Sequence, residues 1–365
     1  MDRISELSDE LLIEILSRFP TKDAISTCKL SKRWKCLWIA PVIQSFRLNI
    51  SVPRAITEDV KTWLAIATSR SLRELDVSYC CYPIKPGKTR YDPPGKHGIL
   101  PLSLYACRSL VVLKLSGHIL MNVPRRMVCL PSLKTLQLRE VSGLHGKSLG
   151  RLLSICPVIE NLLVDFSDRL EIDTPSLKYL RLEDGNDENE SCLIENMPEL
   201  EEAYVDVRYP DIQSLVGSIQ SVKHLTICSK ALYGDGFVFR HLEELKLCDC
   251  SECSSMLLSR LLTDSPNLRV LNIFQMRRHD DKDMVLWNRP SHVPACFESS
   301  LETFIWSGYL GRQQERKIAV YILKRDFLLK TARISYVVNS ILKLKMLKDF
   351  AESSRASSKC KLFFD

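Results

Sequence analysis

Two stripes of apolar side chains run along the first predicted helix of the chain. One stripe follows the i, i+4, i+8 spacing and the other the i, i+4, i+7 spacing, which place side chains on neighbouring faces of one helix. The stripes consist of Leu7, Leu11 and Ile15 and of Leu12, Leu16 and Phe19. Ser8 is placed to cap this helix, and Pro20 ends it.

Two shorter helices are predicted behind it. Thr21 is placed to cap a helix over residues 22–25, and Ser31 to cap one whose apolar face is formed by Leu30, Trp34, Leu37 and Trp38. Three short helices in about forty residues cannot hide so many large apolar side chains. Part of this surface should therefore face outward, and an exposed apolar patch usually marks a protein interface. The alternative is a helical cap packed onto the following domain.

A short apolar pattern recurs along the middle of the chain. After a strand predicted over residues 46–50, the unit apolar-x-x-apolar-x-apolar appears at 72–77, 110–115, 133–138, 159–164, 177–182, 200–205, 222–227, 242–247, 268–273 and 301–306. Most steps are about 18 to 26 residues long, within the leucine-rich repeat range. Each unit predicts one strand whose second and third apolar residues enter a shared core, with return helices clearest at 149–157 and 256–262. The pattern therefore predicts a solenoid held together by stacking.

Several segments depart from this repeat. The segment 82–98, rich in Pro and Gly, predicts an inserted loop, and residues 277–295 predict a boundary. The acidic segment 183–190 predicts a solvated loop, with a dock for a basic partner as the alternative. Residues 315–328 have helical spacing and 331–338 have strand character, which predicts an α+β fold at this end.

Composition narrows the class of protein. The 365 residues suffice for two or three domains, and 45% hydrophobic and 26% charged residues are typical of a globular protein. Charges occupy the N-terminus where a secretion signal would be apolar, and no run reaches the length of a membrane span. The 14 cysteines therefore predict reduced thiols in the nucleus or cytoplasm. The net charge of +7 comes without a dense basic run interleaved with aromatics, so nucleic acid is not an expected partner.

The densest thiol cluster is Cys248-x-Cys250-x-x-Cys253. Structural zinc needs four ligands, and the fourth is missing unless Cys228 or His241 folds nearby. Ordinary core or turn cysteines are the favoured interpretation. The sequence contains neither an HExxH pair nor a phosphate-binding glycine loop. We therefore predict no catalytic residue, no metal and no cofactor.

The C-terminal part is basic, with lysines and arginines spread from Arg312 to Lys361 and few acids among them. Long basic side chains commonly cover apolar surface with their stems while the charge stays in water, which is the favoured interpretation. The alternative is a dock for an acidic substrate or nucleic acid.

The N-terminal residues also carry a resemblance. The segments 2–12, 15–17, 20–24 and 30–38 resemble, without gaps, the plant-type F-box. Ser8 stands where that family usually has proline, and we expect this departure to weaken docking without abolishing it. The resemblance implies that a Skp-family adaptor of a cullin-based SCF ubiquitin ligase binds here. By residue match, the adaptor-binding set is Leu7, Leu11, Ile15, Leu16, Pro20, Leu30, Trp34 and Leu37.

The rest of the chain resembles the same group of plant proteins. Segments 100–105, 110–115, 130–136 and 156–162 are similar to its leucine-rich region, and 293–296, 300–306, 321–324 and 345–365 resemble its C-terminal FBD domain. The expected fold is an α/β leucine-rich-repeat solenoid with an N-terminal all-α three-helix F-box and a C-terminal α+β FBD cap. The expected domains are the F-box at 1–45, the repeats at 46–290 and the FBD domain at 291–365.

The expected function is that of a non-catalytic substrate receptor of an SCF-type ligase. It would hold the adaptor through the N-terminal helices and a target protein through the strand-lined face of the solenoid. The candidate target-contact residues are Arg73, Lys114, Gln137, Arg181, Lys223, Lys246 and Asn272. Two other classes stay open: a leucine-rich scaffold whose F-box does not engage the adaptor, and a small-molecule co-receptor.

Overall fold

The computed structural model places two compact units along the chain. They comprise Met1–Leu144 with Ser154–Val158, and His145–Leu153 with Ile159–Asp365. The structure describes residues 6–19, 27, 30–31, 33–34, 43–50, 58–79, 98–125, 128–144, 146–166, 170–184, 193–195, 197–208, 212–250, 255–276, 279, 287–336, 350 and 355–364. Among these residues, helices are too short or too polar to cross a bilayer.

Helix α1 (Asp9–Arg18) opens the first unit, as its two apolar stripes predict. Ser8 occupies the N-cap position, but its side chain makes no capping bond, and its carbonyl accepts the Leu12 N–H at 3.1 Å instead. The Ser8 φ of −62° equals the angle that proline would impose, so the backbone enters the helix as it would with the family's proline. The predicted side-chain cap is therefore wrong, although the predicted helix start is confirmed.

Parallel strands form the sheet of the first unit. The chain passes through β1 (Ser45–Ile50), α2 (Glu58–Thr68), β2 (Glu74–Tyr79), β3 (Gly98–Ile99), β4 (Val112–Gly117), β5 (Ile119–Leu120) and β6 (Thr135–Arg139). Strands β1, β2, β4 and β6 pair in this order, and β3 pairs with β5. The second and third apolar residues of each repeat are buried, for example Leu75 and Val77 in β2.

The second unit repeats the arrangement. Its strands are β7 (Asn161–Phe166), β8 (Glu171–Asp173), β9 (Tyr179–Asp184), β10 (Leu193–Glu195), β11 (Glu202–Val207), β12 (His224–Ser229), β13 (Glu244–Cys248), β14 (Val270–Phe274), β15 (Thr303–Tyr309), β16 (Thr331–Tyr336) and β17 (Lys361–Phe364). Strand β8 pairs with β10, and the other strands pair in the order β7-β9-β11-β12-β13-β14-β15-β16-β17, all in parallel.

Helices connect successive strands, because parallel neighbours require a crossover. These helices are α3 (Gly146–Ser154), α4 (Gln213–Ser218), α5 (Ser255–Asp264), α6 (Cys296–Ser299) and α7 (Gln313–Arg325). The predicted return helices at 149–157 and 256–262 correspond to α3 and α5. Every repeat unit identified in the sequence contributes one strand, so the repeat prediction is confirmed.

The C-terminal segment differs from the α+β cap expected from the sequence. Strand β15 pairs in parallel with both β14 and β16, and α7 makes the crossover from β15 to β16. The buried face of α7 includes Ile318, Ala319 and Ile322, in the manner of a return helix. The helix and strand predicted at 315–328 and 331–338 are present, but they extend the parallel α/β ladder of the second unit.

Several expectations lie outside the described residues. They concern Pro20, Leu37, Trp38, Cys253, the helix over 22–25 with its Thr21 cap, most of the loop 82–98, residues 277–278 and 280–286 of the boundary, and the acidic residues 185–190. Of the basic C-terminal residues that are described, Lys330 forms an ion pair with Glu302 at 2.7 Å, and the Arg333 guanidinium lies over the Phe363 ring. These contacts agree with the interpretation of solvated basic side chains.

A buried carboxyl group at the end of α7 gives the second unit a pH dependence. Asp326 is the C-cap residue, and its Oδ1 accepts the Leu328 N–H at 2.9 Å, while its buried Oδ2 has no hydrogen-bond partner among the described residues. Burial raises the pKa of Asp326 from 3.8 to about 7. When a carboxyl group binds its proton more tightly in the folded state, the protein loses stability as pH rises above the pKa of that group in the unfolded chain.

We therefore expect the free energy of unfolding to fall between about pH 4 and pH 7, with Asp326 contributing on the order of 3 kcal/mol to the decline. Asp326→Asn keeps an oxygen for the Leu328 N–H but cannot ionise, so its profile should be flatter and the variant should be more stable than wild type at pH 8. Urea unfolding of both proteins from pH 4 to pH 8 measures this difference. Parallel profiles would contradict the assignment.

Candidate functional site

The first candidate surface is an apolar face of α1. On α1, Leu11 is 49% exposed and Ile15, four residues later, is half-buried; Leu30, ahead of Trp34 in the chain, is 68% exposed. Leu12, Leu16 and Trp34 form a buried cluster against which Leu7 packs. Leu12 and Leu16 therefore supply the small core, whereas Leu11 of the other stripe and Phe19 remain about half exposed. We use "docking face" for Leu11, Ile15 and Leu30.

Two predicted adaptor contacts are corrected by this arrangement. Leu16 and Trp34 are buried in the cluster, so neither offers apolar surface to a partner in this conformation. A core of this size needs these two large side chains to hold its helices together. Sequence spacing could not separate the stripes, because both have the period of a helix.

Polar contacts hold the start of α1 against the segment that carries Trp34. Arg33 Nη2 donates to the Asp9 carboxylate at 2.7 Å and to the Leu7 carbonyl at 2.5 Å. The Trp34 N–H donates to Ser31 Oγ at 3.3 Å, which confirms the predicted Ser31 cap. These bonds fix the helix orientation that leaves the docking face outward.

The second candidate surface is a row of outward side chains on the strands of the first unit. In register across β2, β4 and β6 lie Asp76, Lys114 and Gln137, which line a pocket of about 360 Å³ together with Arg47 and Arg139. Arg47 pairs with Asp76 at 3.1 Å, and Lys114 pairs with Glu74 at 3.0 Å. Charged and amide groups thus cover this face, which suits a polar partner surface.

The second unit carries a corresponding row. Arg181, Tyr204, Thr226, Lys246 and Asn272 occupy equivalent positions on β9, β11, β12, β13 and β14. The Arg181 guanidinium lies 4.0 Å from the centre of the Tyr204 ring, and such cation–π packing orients both groups. The row contains a tyrosine and an arginine, two residue types that are enriched in protein interfaces.

Two of the predicted target contacts do not belong to either row. Arg73 and Lys223 precede the first residues of β2 and β12, and their carbonyls accept ladder bonds from Val112 and Glu244. Lys223 also pairs with Glu201 at 3.2 Å. Both hold the second position of the repeat unit, which lies before the strand begins. The other predicted contacts, Lys114, Gln137, Arg181, Lys246 and Asn272, lie in the rows, and their role in target binding stays a prediction.

The third candidate site is a buried cluster of sulfur and nitrogen atoms in the second unit, formed by Cys228, Cys248, Cys250 and His279. Their ligand atoms all lie within 4.8 Å of one another. His279 Nδ1 lies 3.3 Å from Cys228 Sγ, 3.6 Å from Cys248 Sγ and 3.4 Å from Cys250 Sγ. On its other side, His279 Nε2 lies 2.9 Å from Asp206 Oδ2. We call these four residues the thiol–imidazole cluster.

The cluster has an unusual electrostatic environment. The hydrogen bond with Asp206 and a further one with Cys250 raise the pKa of His279 to about 9. Hydrogen bonding to Cys250 and burial raise the pKa of Cys248. Cys228 takes part in a disulfide, so the prediction of reduced thiols is wrong for this residue, whereas Cys248 and Cys250 form no disulfide.

Sequence reasoning found only part of this cluster. Cys228 was one of two proposed fourth ligands, but His279 joins it, whereas His241 stays exposed. A usable signal was present, because Asp206, Cys228 and Cys248 each directly follow the third apolar residue of a repeat unit. Residues at one repeat position stack on neighbouring strands, as the register Asp206–Cys228 shows. His279 lies outside the repeat pattern, so only the tertiary structure reveals it.

Comparison with known proteins places these sites in context. An F-box domain model matches residues 4–43, a model of the LRR repeats of an FBD-associated F-box protein matches 60–227, and an FBD model matches 289–334. An FBD-associated F-box protein of Arabidopsis thaliana is 44% identical over the full length of both chains. A second one from this plant is 44% identical over 92% of this chain and 93% of its own. An F-box/FBD/LRR-repeat protein of the same plant is 37% identical over 100% of this chain and 99% of its own.

The chain belongs to the family of FBD-associated F-box proteins with leucine-rich repeats. In this F-box/FBD protein, the docking face lies in the F-box match, and the polar row of the first unit lies almost entirely in the repeat match. The FBD match contains β15, α7 and most of β16. The thiol–imidazole cluster spans residues 228–279 and falls between the repeat and FBD matches.

Proposed function

We propose that this F-box/FBD protein is the substrate-recognition subunit of an SCF-type cullin ubiquitin ligase. An F-box joined to leucine-rich repeats is the domain combination of such adaptors in general, and the matches to both domains support the assignment. The single observation that carries the proposal is the docking face, because this apolar surface of α1 stays exposed although the repeats lie in the same chain. The working compartment would be the nucleus or the cytoplasm.

The docking face would bind a Skp-family adaptor. Burying Leu11, Ile15 and Leu30 against apolar partner groups contributes about 1.5–3 kcal/mol for each side chain that becomes fully covered. Part of this gain offsets the loss of translational and rotational freedom on association. The hydrogen bonds from Arg33 to Asp9 and to the Leu7 carbonyl would hold α1 in its orientation in the unbound protein. Pro20 and Leu37 remain in the proposed contact set on the F-box resemblance alone.

The polar rows would hold a target protein. Lys114 and Gln137 in the first unit, and Arg181, Lys246 and Asn272 in the second, present donors that suit acidic or carbonyl-rich target surface. Simultaneous binding of adaptor and target would raise the local concentration of target lysines near a charged conjugating enzyme. The rate gain comes from proximity, and the receptor itself needs no nucleophile.

Two buried thiols of the described residues fit this non-catalytic role. Burial raises the pKa of Cys156 and of Cys296 to about 12. A cysteine that carries ubiquitin as a thioester reacts as a thiolate, which requires a lowered pKa. We therefore propose that ubiquitin does not pass through a thioester on either of these cysteines.

Leu11→Asp should weaken adaptor binding at least tenfold, and the Leu11→Asp, Ile15→Asp double variant about a hundredfold, because each places a carboxylate in an apolar interface. Leu232→Asp is a matched control, since Leu232 is 43% exposed and lies in the second unit. Isothermal titration of the purified chain with a Skp-family adaptor measures these affinities. Circular dichroism checks that the variants fold.

Equal affinities for wild type and the double variant would reject the proposal. Absence of binding by every form would favour the leucine-rich scaffold without ligase activity. The small-molecule co-receptor would instead show a thermal shift with acidic hormones or inositol phosphates, lost when the pocket residue Lys114 is replaced by alanine. The three classes thus give different results in two measurements.

A further inference from the structure

The thiol–imidazole cluster has the composition and geometry of a closed metal site. We propose that Cys228, Cys248, Cys250 and His279 of the reduced protein bind one zinc ion. The site lies outside the three family matches, and none of its four residues belongs to the docking face or to the polar rows.

Four of the six distances among the ligand atoms match the edges of a zinc tetrahedron, and the other two are no longer than 4.8 Å. With Zn–S of about 2.3 Å and Zn–N of about 2.0 Å, tetrahedral angles separate two sulfurs by about 3.8 Å and a sulfur from a nitrogen by about 3.5 Å. Cys228 Sγ and Cys250 Sγ are 3.7 Å apart, and the three sulfur-to-Nδ1 distances run from 3.3 to 3.6 Å. One ion at the centre could therefore contact all four atoms with little movement of the side chains.

The imidazole ring is already oriented for this role. Asp206 Oδ2 lies 2.9 Å from Nε2 of His279, so Nε2 donates its proton to the carboxylate and Nδ1 faces the sulfurs. A carboxylate behind a metal-bound histidine fixes the ring tautomer and strengthens the nitrogen as a ligand. The His279 side chain is only 5% exposed, which holds the ring in this position.

Zinc is the metal that best fits this set of ligands. Three thiolates and one imidazole form the Cys₃His set of structural zinc sites, and all four positions are filled by protein atoms, which leaves none for substrate. Met276 belongs to the same buried cluster as the thiols, and Tyr204 and Phe274 pack against it, so the site is dry. Soft sulfur ligands disfavour magnesium and calcium, which prefer oxygen.

The site would join three separate stretches of the second unit. Cys228 lies in β12, Cys248 ends β13 with Cys250 close behind it, and His279 follows β14. A zinc ion would tie the C-terminal ends of these strands to the segment after β14. The free energy of zinc binding would thereby contribute to the folding free energy of the second unit.

Oxidation competes with metal binding at one position. Cys228 takes part in a disulfide, and a sulfur bonded in this way is not a thiolate ligand. A dithiol reductant supplies two electrons and two protons, itself becoming a disulfide, and returns Cys228 and its partner cysteine to thiols. Zinc then replaces the protons of the three cluster thiols, which are released to solvent.

The experiment measures zinc in the full-length chain, made without a histidine tag and purified with a dithiol reductant. Mass spectrometry of the metals should find about one zinc ion per chain, and Co²⁺ should give the intense visible bands of tetrahedral coordination together with a sulfur-to-metal charge-transfer band. Cys250→Ser should lower the zinc content or affinity at least tenfold. Cys296→Ser, which alters an equally buried thiol outside the cluster, should retain zinc.

A second variant keeps the proposal testable if Cys250→Ser does not fold. Asp206→Asn leaves all four ligands in place and should weaken zinc binding about tenfold or more, because it removes the carboxylate behind His279. A chelator should lower the melting temperature of wild type and of Cys296→Ser but should leave Cys250→Ser unchanged. Reduced wild type that neither contains zinc nor produces the Co²⁺ bands would overturn the proposal, as would equal zinc in Cys250→Ser and Cys296→Ser.

Discussion

Replacing Gly117 by alanine is expected to lower the free energy of unfolding of the first unit by about 4 kcal/mol. Gly117 ends β4 with φ of +85°, in the region that side chains rarely adopt. An added Cβ would lie 2.0 Å from the carbonyl oxygen of Tyr79, and that oxygen accepts the His118 N–H at 3.1 Å. The backbone would have to move, at the cost of the strained φ and of this hydrogen bond.

Gly236→Ala is the matched control for this experiment. Gly236 has a similar φ of +94°, but an added Cβ would meet no heavy atom within 4 Å. Its replacement should therefore cost only the strain of the left-handed backbone, about 1–2 kcal/mol. Urea unfolding followed by far-ultraviolet circular dichroism compares the two variants. A loss for Gly117→Ala no larger than that for Gly236→Ala would show that the backbone at Tyr79 yields without cost.

Trp306→Ala should lower the free energy of unfolding of the second unit by about 3–5 kcal/mol. Trp306 is fully buried on β15, and its ring packs edge-on against Phe304 and Tyr309, with centroids 6.2 and 5.3 Å away. Its Nε1–H donates to Asp249 Oδ2 at 3.3 Å. Truncation would leave a cavity between the neighbouring strands and a carboxyl oxygen without its donor, and both raise the cost.

Two comparisons separate these causes. Trp306→Phe keeps an aromatic ring but removes the donor to Asp249, so we expect a smaller loss of about 1–3 kcal/mol. Trp63→Ala removes the same side chain from α2, where it is 42% exposed, and should cost about 1 kcal/mol. The urea midpoints of Trp306→Ala, Trp306→Phe and Trp63→Ala rank the three losses of stability. If Trp306→Ala lowered the free energy of unfolding no more than Trp63→Ala does, the packing described for the FBD segment, residues 289–334, would be wrong.

The hydrogen bond from Trp306 to Asp249 also affects the pKa of Asp249. Burial raises the pKa of Asp249 to about 6, and the hydrogen bond from Trp306 opposes this rise. Removing the donor in Trp306→Phe should raise the pKa of Asp249 further. The FBD segment therefore acts on the last repeats through side chains as well as through the parallel pairing of β15 with β14.

The repeat architecture could be predicted from the sequence because its signal is local and recurs. Residues such as Leu75 and Val77 alternate with polar neighbours at the period of a strand. The second and third apolar residues are buried in every unit. The same reasoning placed Lys114 and Gln137 on the outward face. It failed for Arg73 and Lys223, because the pattern identifies a unit but not the residue at which its strand begins.

Other features depend on contacts between residues that are distant in sequence. The stripes on α1 are equally apolar, and only packing against Trp34 decides that Leu12 and Leu16 form the core while Leu11 stays exposed. The pairing of β15 with β14 likewise decides that the C-terminal segment continues the ladder.

The sequence by itself determined the repeat period, the strands and the family, since these reside in neighbouring residues and their spacing. The tertiary structure alone decided which apolar side chains of α1 face water. It also decided that His279 lies against Cys228, Cys248 and Cys250. Cys228 and His279 are 51 residues apart in sequence, and only folding brings Cys228 Sγ within 3.3 Å of His279 Nδ1. Local spacing predicts secondary structure, whereas a site is made by packing that joins positions whose separation in sequence carries no regular signal.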